Sequence, residues 1–460
     1  MEPTTRYERM VRRVQAEARV PSVAAALHRA DRPLWSVQVG GDPGRDQYRV
    51  GSVTKTFTAV LVMQCRDDGL LDLDDPVGRH VDLPAHGELP IRRLLSHTAG
   101  LQREPYGDVW DTLDAPDTGR LLAELGRAEQ VLPPARRYHY SNLALAILGL
   151  MVARLRGGSW AEVLTDRVLR PLRLDATTYH PSERAATGYL VDAYSDHVRP
   201  EPPVDCGAVA PAAQLWSTAA DMARWAAFLA DPASLDPDAS VLRPETLDEM
   251  RWPLTITDET LWTVGFGLGL IVVPQASADN KGRIVHVGHD GAMPGFLAGV
   301  YGRRGGDGTP AACGAAVLGA SGTGDAVINL PHDLLAAAAE HDPADIPTWT
   351  PGEPAPAEYR SVLGRWWSEG FEFVFRWRDR SLQATAEGAP AGRPPAVFTP
   401  LERDLLRTAS GREAGELLRL TRDDAGRVVR MHWATYRLTR TQETSDRVSA
   451  SQPLSEPGGS

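Results

Sequence analysis

Lysine is almost absent from this chain. Of its 49 basic residues only two are lysines, Lys55 and Lys281, and the others are arginines. Cysteine is nearly as scarce. Cys65, Cys206 and Cys313 stand far apart, which excludes a disulfide framework and a cysteine-built zinc site. No run of 18 apolar residues occurs, so a membrane-spanning helix is not expected. The first residues, Met1-Glu2-Pro3-Thr4-Thr5-Arg6-Tyr7-Glu8, lack the apolar stretch of a secretory signal. These absences lead us to expect a cytoplasmic protein with free thiols and no membrane partner. The net charge of −11, with no block of basic residues, argues against a nucleic-acid surface. No internal repeat is found. The glycine-rich stretch at residues 319–324 has neither the Lys-Ser/Thr of a phosphate loop nor the Gly-x-Ser-x-Gly of a nucleophile elbow.

What is present is an ordinary globular composition, 42% hydrophobic and 24% charged over 460 residues, enough for more than one domain. Against it the position of Lys55 is conspicuous, three residues after Ser52 in Gly51-Ser52-Val53-Thr54-Lys55-Thr56-Phe57. Arginine cannot release its proton inside a protein, whereas a desolvated lysine can. Residues three apart share a helix face. Ser52 and Lys55 then read either as a helix-capping serine with a solvated lysine or as a nucleophile with its base. The apolar run Phe57, Ala59, Val60, Leu61, Val62, Met63 predicts that the helix carrying them is buried.

Taken in order, residues 6–19 read as an amphipathic helix, and residues 23–27 and 34–39 as a hairpin. Residues 118–230 are mostly helical, with helices expected at 143–155, 159–168 and 219–229. Strand character returns at 265–273, 283–287, 295–301 and 312–320. Sheet at both ends of a helical insertion predicts an α/β domain over 1–338, with a helical subdomain at about 76–230. Five prolines mark a linker, assigned to residues 339–358. Short strands at turn-punctuated spacing predict a small antiparallel barrel or sandwich over 359–440. The polar residues 441–460 are expected to form a disordered tail.

Two further stretches carry chemistry. Tyr140-Ser141-Asn142 stands at the mouth of the helix expected at 143–155. Its tyrosine can relay a proton, and its amide can orient a lysine or a substrate. In His286-Val287-Gly288-His289-Asp290-Gly291-Ala292 the two histidines lie three apart in an extended segment. They therefore face opposite ways, and no metal is expected. Small residues after His289 suit a site edge, where exposed backbone N–H groups can hold an oxyanion. His97, in Ser96-His97-Thr98-Ala99-Gly100, reads as a loop-packing histidine.

Together and in this order, Ser52-x-x-Lys55, Tyr140-Ser141-Asn142 and His289-Asp290-Gly291 resemble the three motifs of the penicillin-binding-protein and class C β-lactamase superfamily. Leu94-Leu95-Ser96-His97-Thr98-Ala99-Gly100-Leu101 and Pro294-Gly295-Phe296 agree with it, and the resemblance covers residues 6–335. It implies an αβα sandwich with an antiparallel sheet and a helical subdomain, followed here by a lipocalin-like barrel. It also implies that Ser52 is acylated and that Lys55 and Tyr140 manage protons. Asn142 would contact lysine and substrate. The N–H groups of Ser52 and Ala292 would form the oxyanion hole, with His289 and Gly291 against the substrate. His289 stands where many β-lactamases carry lysine, so the sequence looks more like the esterase, D-aminopeptidase and carboxypeptidase-like branches.

With its C-terminal domain the chain most resembles the stand-alone penicillin-binding-protein-type thioesterases, which release a nonribosomal peptidyl thioester by macrocyclisation. In that group an arginine of the C-terminal domain reaches the substrate, and Arg430 is the candidate. The partner implied is a peptide or peptidyl thioester, brought by a carrier protein, and no cofactor is implied. A cytoplasmic esterase or D-amino-acid peptidase is the alternative. A non-catalytic binding protein on the same scaffold is a more remote one.

Overall fold

The computed structural model describes residues 2–258, 260–276, 283–304, 313–345, 348–389 and 393–442. Lys281 and residues 443–460 of the expected tail lie outside the described residues. The chain divides into two compact units, the first built from residues 1–277 and 283–345 and the second mainly from residues 346–460.

The first unit is organised on an eight-stranded antiparallel sheet. Its order is Arg32–Gly40, Ser22–Arg29, Cys313–Gly319, Phe296–Arg304, Arg283–Met293, Ile271–Ala276, Gly265–Phe266 and Thr255–Ile256. The near-continuous apolar sequence of the central strands follows from burial on both faces. Ala24, Ala26, Ala316 and Leu318 face one core, and the intervening Val23, Ala25, Leu27, Ala315 and Val317 face another. That period of two is the pleat itself. Helices Pro3–Glu17 and Ala326–His341 close the second face. Helix Ala219–Ala230 and the helical part of the chain close the first.

The helix at residues 326–341 has no counterpart in our reading of the sequence, where Pro331 inside it disguised the pattern. The strand expected at 265–273 is interrupted: Gly269 takes φ +76° between Gly265–Phe266 and Ile271–Ala276. The expected 159–168 helix is helical only over Trp160–Leu164, then widens into a π turn at Thr165–Leu169.

Helix Thr54–Asp67, which follows the candidate nucleophile, is buried from Thr54 to Cys65 on all sides. A helix in this position must satisfy its polar side chains within the protein. Thr56 Oγ1 donates to Val53 O at 2.7 Å and accepts from Trp225 Nε1 at 2.7 Å. Thr58 Oγ1 donates to Pro211 O at 2.7 Å and accepts from Trp160 Nε1 at 3.1 Å. Phe57 stacks on Trp225 with ring centres 3.9 Å apart. These contacts hold the helix rigidly behind Ser52.

The second unit is a barrel of eight consecutive antiparallel strands from Gly364–Ser368 to Tyr436–Leu438. It closes through a bridge between Trp367 and Thr439, whose N–H···O bonds run both ways at 2.9 and 3.0 Å. Closure removes the exposed edges of a sheet, and Trp366, Phe375, Phe398 and Met431 fill its core.

Candidate active site

Three segments converge on Ser52 Oγ. The first is the short 3₁₀ turn Gly51–Val53, which runs into helix Thr54–Asp67 and places Lys55 one turn on. Lys55 Nζ lies 2.9 Å from Ser52 Oγ and donates to it. Its second acceptor is the Ala212 carbonyl at 2.8 Å. Lys55 is fully buried, and that loss of water holds its ammonium well below the usual 10.5, with Arg103 nearby adding to the effect. Ser52 itself is only half-buried, so the pair is an open hydroxyl above a dry amine.

The second segment presents Tyr140, whose hydroxyl donates to Ser52 Oγ at 2.6 Å. The loop around His97 holds it there. His97 has φ +54°, accepts from Ser141 N at Nδ1 (3.1 Å) and packs its ring 4.6 Å from that of Tyr140. Ser141 caps helix Asn142–Arg156 by accepting from Ala144 N, and its own hydroxyl donates to Gln102 O at 2.7 Å. The Arg103 carbonyl accepts from Asn142 N at 2.7 Å. Burial raises the Tyr140 phenol well above 10, so it stays protonated. Burial also keeps His97 neutral.

The third segment is the strand Arg283–Met293. The two-residue turn Pro294–Gly295 makes Met293–Phe296 the hydrogen-bonded pair of its hairpin. The next pair, Ala292–Leu297, is then a non-hydrogen-bonded one. The Ala292 N–H accordingly points away from the neighbouring strand and towards the Ser52 turn. Close approach is built in. A Cβ on Gly51 would stand 2.8 Å from Ala292 N, and one on Gly291 would stand 1.9 Å from Val50 O. Gly51 also takes φ +51°. Ala292 is exposed, as a group that receives a ligand must be.

His289 belongs to this strand but is only 3% exposed. Its Nδ1 lies 2.6 Å from the Asp290 carbonyl. Burial, with Lys55 close by, lowers it to about 3, so it carries no charge at neutral pH. Its Nε2 has no protein partner.

Asn142 differs from the expectation. Its Nδ2 donates to Glu104 Oε1 at 2.6 Å, and its Oδ1 is buried without a partner, so it makes no hydrogen bond to Lys55. The place expected for it beside the lysine is taken by the Ala212 carbonyl. Glu104 and Arg103, whose guanidinium lies 4.7 Å over the Tyr140 ring, were missed by sequence reasoning. They follow directly on Leu101-Gln102, but no spacing rule tied them to Tyr140. The structure thus brings Ser52, Lys55, Tyr140, Asn142, His289, Gly291 and Ala292 into the first unit. Arg430 is in the second, exposed on strand Val428–Trp433 opposite Thr421.

Comparison with known proteins gives a consistent picture. Residues 355–440 match a family described as a domain of unknown function, DUF7586. Penicillin-binding protein 4 of Amycolatopsis lactamdurans is 33% identical over 272 residues, covering 54% of this chain and 66% of that protein. The chain spans about half to two thirds of the length of the curated relatives it matches. In fold it is similar to the octameric penicillin-binding protein homologue from Pyrococcus abyssi. That structure has a TM-score of 0.59 at 20% identity and covers 95% of this chain and 99% of its own. It is also similar to the D-amino acid amidase from Ochrobactrum anthropi SV3, with a TM-score of 0.58 at 22% identity over 73% of this chain and 98% of that one. The β-lactamase family model matches residues 7–322, and the chain therefore belongs to the β-lactamase family, within the penicillin-binding-protein-like superfamily of serine hydrolases.

Proposed function

We propose that this protein is a serine acyltransferase that takes a peptidyl group from an ester or thioester onto Ser52. It then releases the peptide by attack of the peptide's own amino end, giving a macrocycle. The observation that carries the acyl-enzyme step is the Ser52 hydroxyl held between Tyr140 Oη at 2.6 Å and Lys55 Nζ at 2.9 Å, with the amine fully buried.

In this reading neutral Lys55 accepts the Ser52 proton as Oγ bonds to the acyl carbon. The N–H groups of Ser52 and Ala292 take the developing oxyanion. Tyr140, kept protonated by burial, donates to the leaving thiolate or alkoxide as its bond to the acyl carbon breaks. The proton collected at Lys55 then passes to the Tyr140 phenolate beside it, because the acylated serine oxygen has none to relay. In release neutral Lys55 takes a proton from the attacking amine, or water, and returns it to Ser52 Oγ as the acyl–oxygen bond breaks. Asn142 Oδ1 and the neutral His289 border the substrate.

Neutral His289 bears on the leaving group. It offers no positive charge of its own to a substrate's free carboxylate. A neutral ester or a carrier-bound thioester suits it better. Arg430 remains the candidate in the barrel for contact with the peptide. Hydrolysis of D-amino-acid amides or peptides is the second reading, favoured by the likeness to the D-amino acid amidase.

The test is incubation with a linear peptidyl N-acetylcysteamine thioester, with the Ser52 adduct and the products read by mass spectrometry. A transient Ser52 acyl adduct followed by a product of ring mass supports the cyclase. An adduct followed only by the acid transfers the assignment to the hydrolase. No adduct at Ser52 from thioesters, esters or fluorophosphonates overturns both.

A further inference from the structure

The barrel of the second unit holds a cavity lined by its own residues. Alternate residues of its strands point inward. The large side chains Trp366, Phe375, Phe398 and Met431 fill part of the interior. Beside Phe375 the inward positions fall to Ala384 and then Ala396 on the next two strands, towards the loops after Ser368, Ala386, Thr408 and Trp433. A cavity of about 450 Å³ opens there, walled by Phe373 and Trp433. An eight-stranded barrel has just enough interior either to be filled by side chains or to hold one small ligand. Alanine at two neighbouring positions, Ala384 beside Ala396 in the ladder, selects the second outcome. The volume lies within the range of small-molecule sites, about 300–1,000 Å³.

An independent feature points to a ligand. Ser368 is 7% exposed, lines the cavity, and its Oγ has no hydrogen-bond partner among the described residues. Leaving a buried hydroxyl unpaired is unfavourable. It becomes useful when a ligand atom completes the pair. The rim carries Arg393 and Arg412 against Glu369 and Glu413, so its charges balance and favour neither sign.

We propose that the barrel binds one small uncharged molecule with an apolar aryl or alkyl body and a hydrogen-bonding atom that reaches Ser368 Oγ. The proposal does not rest on the acyl chemistry at Ser52.

The test uses the full chain and the neutral dye N-phenyl-1-naphthylamine, whose fluorescence rises in apolar surroundings. Saturable one-to-one binding is expected, weakened at least tenfold when Ala384→Leu and Ala396→Leu fill the space. Ser368→Ala keeps the volume but removes the partner, and should weaken binding about threefold to tenfold. Because the filled variant could fold poorly, the wild-type chain is also photolysed with 3-trifluoromethyl-3-phenyldiazirine and its adducts mapped. Labels on peptides containing Phe373 or Trp433 support the site. Non-saturable dye binding, unchanged affinity in the folded filled variant, or labels confined to residues 1–345 overturn it.

Discussion

Glu104 captures the side-chain amide of Asn142, Oε1 to Nδ2 at 2.6 Å, and so fixes which way that amide points. With Nδ2 engaged, Oδ1 is left as a buried acceptor without a protein partner at the edge of the site. A charge-assisted bond of this kind is worth about 1.5–3 kcal/mol. Glu104→Ala is therefore expected to lower kcat/KM for a peptidyl thioester about tenfold to a hundredfold. Labelling of Ser52 by a small fluorophosphonate, which has no peptide to align, should persist. Loss of labelling equal to the loss of turnover would show that Glu104 acts on Lys55 instead.

Lys55 gives a prediction with a sign in pH. The folded chain holds it as a neutral amine well below 10.5, while the unfolded chain keeps it protonated up to that value. The unfolded state then binds more protons, and stability rises with pH across that window. Thermal melts should show wild type gaining on Lys55→Met as pH rises towards 10.5. Activity should fall as pH drops through the folded pKa. Both Lys55→Met and Lys55→Arg should cost a factor of about 10²–10⁴ in acylation, because arginine retains charge without basicity.

Gly291 is the close-approach position of the site strand. Its Cβ would stand 1.9 Å from Val50 O and 3.3 Å from Ser52 N, so Gly291→Ala must push the strand from the serine turn. We expect a loss of about 1–3 kcal/mol in urea denaturation. Acylation should drop by about 10² or more, as when an oxyanion donor is removed. An alanine variant with wild-type acylation would place the oxyanion contacts elsewhere.

Asp290 titrates in the opposite sense to Lys55. Burial raises its carboxyl to about 6 despite the hydrogen bond donated by Tyr301 Oη at 2.9 Å. With an unfolded value of 3.8, the folded state binds the extra proton between about pH 4 and pH 6. The stability that this supplies is complete below 3.8 and is lost as pH rises through 6. Asp290→Asn should therefore gain on wild type in chemical denaturation between about pH 4 and pH 7. The gain is at most about 3 kcal/mol, at 1.36 per pKa unit.

The amino-acid sequence by itself determined that the Ser52 hydroxyl and the Lys55 amine meet. A serine three residues before one of only two lysines, at the start of an apolar helix, could hardly be arranged otherwise, since helical geometry alone brings i and i+3 together. It likewise determined the short antiparallel strands of the second unit, because alternation and turn spacing are local properties of the chain, whereas the Trp367–Thr439 bridge that closes them into a barrel is not. Only the tertiary structure decided the surroundings of that pair. Ala212 O rather than Asn142 receives the second Lys55 proton, and Glu104 rather than Lys55 receives the Asn142 amide. Those partners lie 157 and 38 residues apart in sequence. Their meeting depends on how separate segments fold against the helix bearing Lys55, and no periodicity within a short window encodes it. The vacant half of the barrel is of the same kind. Ala384 and Ala396 are unexceptional residues of two neighbouring strands until the barrel turns both inward, side by side.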